Sequence, residues 1–335
     1  MALIHYVIKR LIYALVVLII IASIDFLIFQ FIPEFVLGLN PATLLLGQFA
    51  NRIHQAGALE KVLISIENTY GLNQPWDIRY VKYIENMFTF NFGISLDLST
   101  GTAVSLVIGR ALPNTVALVG SATIVAALVG IALGVVAAAK RGKASDIAIV
   151  DTGLLFFSMP SFWLGLILLV FFGAYLKIFC VSQSICTVDR VGLAYLHGYI
   201  MALILPVISL TLITLGTYLL IMRSNLIDVF TEDYINIARA KGVPERTILF
   251  KHAFRNAVLP VVSVVGLSLG FILGGAVITE TVFSWPGLGL TIISAVDGSD
   301  YPVEQAIFFI IALMVVVGNL ITDLLYAALD PRIRY

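Results

Sequence analysis

The sequence predicts an all-α integral membrane protein, a bundle of six transmembrane helices, and three observations carry that prediction. Of its 335 residues 60% are hydrophobic and 12% charged, with a mean hydropathy of +1.03, more apolar side chain than a soluble domain can house. The apolar residues gather into six runs, at about 11–32, 114–139, 147–176, 198–222, 258–279 and 301–328, and a helix needs about 20 such residues to cross the hydrocarbon. The charges gather too. Lys and Arg fall at 9 and 10, at 140, 141 and 143, at six positions from 223 to 255, and at 332 and 334, which is thirteen of the twenty basic residues. Cytoplasmic loops carry the basic excess, so both termini are expected in the cytoplasm of a multi-pass cell-membrane protein.

Taken in order, residues 1–10 form a short basic cytoplasmic start. The first run, 11–32, is too long for a signal-peptide core and lacks a small-residue cleavage pattern, so it reads as an anchor. Asp25 interrupts it, and a carboxylate there should face protein or the outer surface. Residues 33–113 form an extended extracytoplasmic segment. Within it Ile78, Val81, Ile84 and Phe88 share one side of a helix and Arg79, Lys82 and Glu85 lie elsewhere, the pattern of an amphipathic helix capping the bundle or lying on lipid. From residue 114 to 335 extends the larger core. Its first run holds Gly120, Gly130 and Gly134, which suit close helix packing. The next contains Ser158, Met159, Pro160 and Ser161, where a proline should kink the helix and serines can meet freed backbone groups. These four are the candidate pathway residues. Pro206 and Gly216 suggest bends in the fourth run. Pro286-Gly287 forces a turn after the fifth, and Trp285 suits the outer interface, where indole rings gather.

The two cysteines, Cys180 and Cys186, lie in an outer loop, where they form either a small disulfide loop or two unpaired thiols. No zinc-spaced Cys/His cluster, P-loop or nucleophile elbow occurs. No catalytic residue and no metal site is therefore assigned, and the chain has no means of hydrolysing ATP alone. Twenty basic residues balance twenty acidic ones, so no nucleic-acid partner is implied.

The basic stretch 223–257 between the fourth and fifth runs has a helical pattern. Thr231 can cap a helix whose first turn holds Glu232 and Asp233, where the dipole favours acids. Tyr234, Ile235, Ala238 and Gly242 fall near one face. Arg239 and Lys241 close the last turn, and Gly242 is a left-handed stop. Pro244 and Glu245 then open a second short helix. The shape is a helical knob tethered at both ends to the membrane, small-residued on one side. It suits the docking of a partner.

ARAKGVPERTILFKHAFRNAVLP (238–260) resembles the coupling loop of ATP-binding-cassette importer permeases of the dipeptide/oligopeptide branch. LPNT (112–115), ETVFSWPGLG (280–289), DYPVEQA (300–306) and LDPRIRY (329–335) resemble the same branch. The pattern departs at one place: Asn236-Ile237-Ala238 stands where the family shows Glu-Ala-Ala, and Glu232 lies one helical turn earlier. The resemblance implies a type I importer permease with six spans, a cytoplasmic coupling helix and an extended extracytoplasmic segment. It implies a second homologous permease, two ATPase subunits carrying ATP and Mg, and an extracytoplasmic substrate-binding protein. Carried onto this chain, the coupling residues are Glu232, Asp233, Tyr234, Ala238, Arg239, Ala240, Lys241 and Gly242.

Peptide is the cargo implied by this branch, and oligosaccharide, glutathione or nickel chelate are the alternatives. A self-sufficient carrier or channel is the rival class. It needs ionisable groups at mid-span, and Asp25, Asp151, Asn319 and Asp323 all lie nearer span ends.

Overall fold

In lipid every backbone N–H and C=O must be satisfied within its own segment or its neighbours, and helix is the local answer along each apolar run of the computed structural model. The structure describes residues 2–36, 71–182 and 192–329 with a few positions between 38 and 67. Helix α1 (Ala2–Phe26) continues through Leu27–Phe31 and Ile32–Phe35. There follow α2 (Trp76–Phe88), α3 (Val104–Ala139), α4 (Ala144–Ser158), α5 (Ser161–Tyr175) and α6 (Leu193–Val229). After them come α7 (Asp233–Ala240), α8 (Glu245–Ala257), α9 (Leu259–Gly275), α10 (Val277–Val282), α11 (Leu288–Gly298) and α12 (Tyr301–Leu329).

Among the described residues four helices are long and apolar enough to cross a membrane: Val7–Phe35, α3, α6 and Tyr301–Asp323. Two bent pairs raise the number to six if each is one span. These are α4 with α5, at 102°, and α8 with Leu259–Gly266, at 40°. Pro160 thus makes a corner rather than the expected kink: Met159 and Pro160 are extended, with ψ of 137° and 130°. Pro206 behaves in the opposite way and lies inside an unbroken α6.

The chain divides into two compact units, Met1–Thr115 with Pro286–Leu320, and Val116–Trp285 with Ile321–Tyr335. In the first, a polar stripe on α1 and its continuation meets α2. Tyr83 donates to the Asp25 carboxylate, Arg79 to Glu34 and Gln30, and Ser23 pairs with Tyr80. Asp25 therefore faces protein. On α2, Arg79, Tyr83 and Met87 are buried while Ile78 and Val81 are exposed. The apolar face turns outward, which fits the second of the two placements that the sequence pattern allows. The buried carboxylate of Asp300 accepts from Ser95 Oγ at 2.6 Å and from the backbone N–H groups of Leu96, Asp97 and Leu98 at 3.0–3.1 Å. Asn114 Nδ2 donates to Pro286 O at 2.8 Å, and Leu288 N to Thr115 Oγ1 at 2.7 Å, so LPNT and WPGLG lock together.

In the second unit α3 and α6 touch backbone to backbone. A Cβ at Gly130 would lie 2.9 Å from Leu215 O, and one at Gly134 2.8 Å from Leu219 O. Gly120 has open space around it and makes no such approach. Gly216 is a contact point and not a bend, since its Cβ would come within 2.9 Å of Gly153 O on α4. Trp285 is fully buried against Leu118 and Ala202, with Tyr199 edge-on at 5.1 Å. It is an interior anchor, and its expected place at the outer interface is corrected.

Candidate functional site

The knob begins one residue later than the sequence suggests. Glu232, with φ −70° and ψ 145°, is the residue before α7, and Thr231 instead donates its hydroxyl to Asp228 O at 2.6 Å. At the other end Gly242 takes φ +75°. Its N–H donates to Arg239 O at 2.9 Å and that of Val243 to Ala238 O at 3.2 Å, the paired closing bonds of a Schellman motif. Pro244 then sets the extended residue that opens α8.

Which way each side chain points decides what the helix can do. Ile235 is fully buried and Ala238 is 9% exposed. Both pack into a core with Met222 and Leu226 of α6, Val135 and Ala138 of α3, and Ile248, Ala253 and Ala257 of α8. Two polar ties flank them. Asn256 Nδ2 donates to the Tyr234 hydroxyl at 2.8 Å, and Arg239 Nε to Glu245 at 2.8 Å, with the guanidinium 5.7 Å from the Phe230 ring. At 100° per residue the opposite stripe is Asp233, Asn236, Ile237 and Ala240, all exposed, with Glu232, Lys241 and Gly242 exposed at its ends.

The candidate residues thus split. Glu232, Asp233, Ala240, Lys241 and Gly242 lie on the open surface. Tyr234 and Arg239 are exposed but tied within the chain, and Ala238 faces the chain's own core. Beside the knob, Arg141, Arg239, Arg246, Glu245 and Phe230 line a cleft of about 440 Å³.

Sequence reasoning missed the ion pair behind this site. Arg223 on α6 holds Asp146 on α4 with both oxygens, at 2.7 and 2.8 Å, and Gly142 N–H adds a bond at 3.0 Å. Planar guanidinium and carboxylate match in this two-point geometry. Asp146 also stands in the first turn of α4. The partners lie 77 residues apart, beyond the reach of any periodic pattern.

Of the other candidates, Ser158 donates to Leu155 O at 2.9 Å and is exposed, as is Pro160, while Met159 packs beside Leu164 and Phe283. Ser161 is half-buried at the start of α5. Cys180 is disulfide-bonded, and Cys186 lies outside the described residues.

The sequence as a whole is similar to that of known proteins. Residues 130–335 match the family described as the binding-protein-dependent transport system inner membrane component, and residues 3–119 match the corresponding N-terminal family. The chain is 36% identical to the oligopeptide transport system permease protein AppB of Bacillus subtilis, over 98% of this chain and 99% of that one. It is 35% identical to the glutathione transport system permease protein GsiC of Salmonella paratyphi A, over 99% of each. To the probable peptide ABC transporter permease protein y4tP of Sinorhizobium fredii the identity is 32%, over 98% and 99%. The all-helical architecture, the apolar spans and these full-length matches agree: the chain belongs to the inner-membrane permease components of binding-protein-dependent ABC transport systems.

Proposed function

We propose that this chain is one of two permease subunits of an ATP-driven peptide importer, and that α7 is the handle by which the ATPases move it. One observation carries the coupling role. Ile235 and Ala238 secure α7 from behind, and Asp233, Asn236, Ile237 and Ala240 are left facing outward. A surface held rigidly from behind transmits displacement, and a loose one absorbs it. ATP biases two states of an assembly only by its differential affinity for them, so that stiffness decides whether the bias reaches the spans. The core behind α7 is shared with α3, α6 and α8, and Arg223 extends it to α4.

In this reading two cytoplasmic ATPase subunits bind ATP and Mg, and each grips one coupling helix. The pathway lies between this permease and a second, homologous one, and an extracytoplasmic binding protein supplies the cargo. Both termini lie in the cytoplasm. Peptide is preferred as cargo because the relatives just described include permeases named for oligopeptide and peptide transport. Glutathione, named for a third, is the alternative.

The test is Ala240→Arg, at the centre of the outward stripe. The variant accumulates in the membrane at the wild-type level, and uptake of the binding protein's ligand falls at least tenfold. Uptake at the wild-type rate overturns the coupling role.

A further inference from the structure

The outward face of α4 joins two features that lipid does not tolerate. Asp146 and Gly153 are buried on one side of the helix. On the other, Ala144, Ala148, Asp151, Leu155 and Ser158 follow one another at spacings of three and four residues, all of them exposed. Asp151 stands midway along the fifteen residues of α4, which is only the first half of the bent α4–α5 pair, so it lies toward one end of that run as the sequence indicates; among the described residues none is bonded to its carboxylate. Its helical neighbours Ile147, Ala148, Leu154 and Leu155 are uncharged. Two other span acids have partners within the chain: Asp25 has Tyr83 and Asp146 has Arg223. Ionisable groups within membrane segments face the bundle interior or a water-filled cavity.

The second feature is independent of the first. The stripe ends at the 102° corner, where Ser158 and Pro160 are exposed and the backbone leaves the helix at Met159. Non-helical backbone at membrane depth persists only where it is buried in protein or lines water. This corner is open on the same side as Asp151.

We propose that the Asp151 face of α4 forms part of the wall of the translocation pathway, and that its carboxylate receives the ammonium group of an amine-bearing cargo. The inference rests on the importer reading and narrows it, since a free peptide carries such a group and a neutral sugar does not.

The experiment uses the whole importer in membrane vesicles under non-reducing conditions. Leu155→Cys is placed one turn from Asp151, about 6 Å away. It is labelled with a trimethylammonium-bearing and with a sulfonate-bearing methanethiosulfonate, the first being the probe for the ammonium class. The cysteine reacts, and because its thiolate itself favours the cationic reagent, the quantity read is the ratio of the two rates with and without the carboxylate. Asp151→Asn lowers the cationic reagent's lead by about tenfold, as a carboxylate at that distance in a poorly screened site implies. No reaction at Leu155→Cys, meaning a face sealed by lipid or by the second permease, overturns the proposal. So does a cation preference that Asp151→Asn leaves unchanged, or the lack of any preference. Purification of the same vesicles tests the importer reading separately: if no ATPase subunits accompany the chain, that reading fails whatever the labelling shows.

Discussion

Ala238 and Ala240 are two positions apart on α7, and they face opposite ways. A small side chain fits a groove in a partner and a groove in its own bundle equally well, so residue type alone assigned both to the docking surface. Burial separates them: Ala238 is 9% exposed beside Ile235, while Ala240 is open. Ala238→Glu therefore places an unpaired carboxylate in the core behind the knob, a change that costs several kcal/mol when no partner is supplied. The expected outcome is loss of the protein itself, seen as low membrane accumulation by immunoblot, in contrast to the well-accumulated Ala240→Arg. Gly242 was legible because its requirement is conformational: a left-handed residue at φ +75° is announced by glycine after a basic last turn. Trp285 was misplaced for the same reason as Ala238, since an indole suits both a wet interface and a dry interior.

At the scale of elements, hydropathy located the spans and left their bends undetermined. Pro160 and Pro206 are the same residue in similar company, yet one turns a corner and the other sits within an unbroken helix. The difference lies in what surrounds the backbone and not in the chain itself. Helix α2 makes the same point: its two faces are evident in the sequence, but the polar stripe of α1 decides which is buried. The small-residue rule fared better where a neighbouring backbone confirms it. At Gly134 an added methyl would meet Leu219 O at 2.8 Å and Met222 Cβ at 2.8 Å, and a backbone oxygen cannot turn aside as a flexible side-chain tip can. Gly134→Ala is expected to lower stability by about 1–3 kcal/mol, the usual penalty for overpacking. A lower midpoint in the thermal unfolding of the detergent-solubilised protein checks it, and an unchanged midpoint would mean that α3 and α6 leave room for a methyl at this position.

At the scale of the whole molecule, the motifs that mark the family prove to be connectors. LPNT and WPGLG lie about 170 residues apart and hydrogen-bond to each other through Asn114, Thr115, Pro286 and Leu288. Asp300 of DYPVEQA gathers Ser95 and three consecutive backbone N–H groups onto one oxygen. A resemblance marks such residues without saying why they matter, because pairing over this distance leaves no periodic trace. Hydrogen bonds to a charged group contribute about 1.5–3 kcal/mol each, so Asp300→Ala releases the 95–99 turn. With residues 33–113 outside the membrane, as the sequence leads us to propose, faster cleavage within that turn by protease added from outside is the expected result. Cleavage at the wild-type rate would show that the turn holds without its acceptor.

The inward grip of Ile235 and Ala238 leaves the outer stripe of α7 outside the core that holds the helix. In the proposed coupling role, Asp233, Asn236, Ile237 and Ala240 form an address written on a scaffold whose core lies behind them. After gene duplication a copy could drift at four codons and take up a different motor, and its membrane body would never pass through an unfolded ancestor.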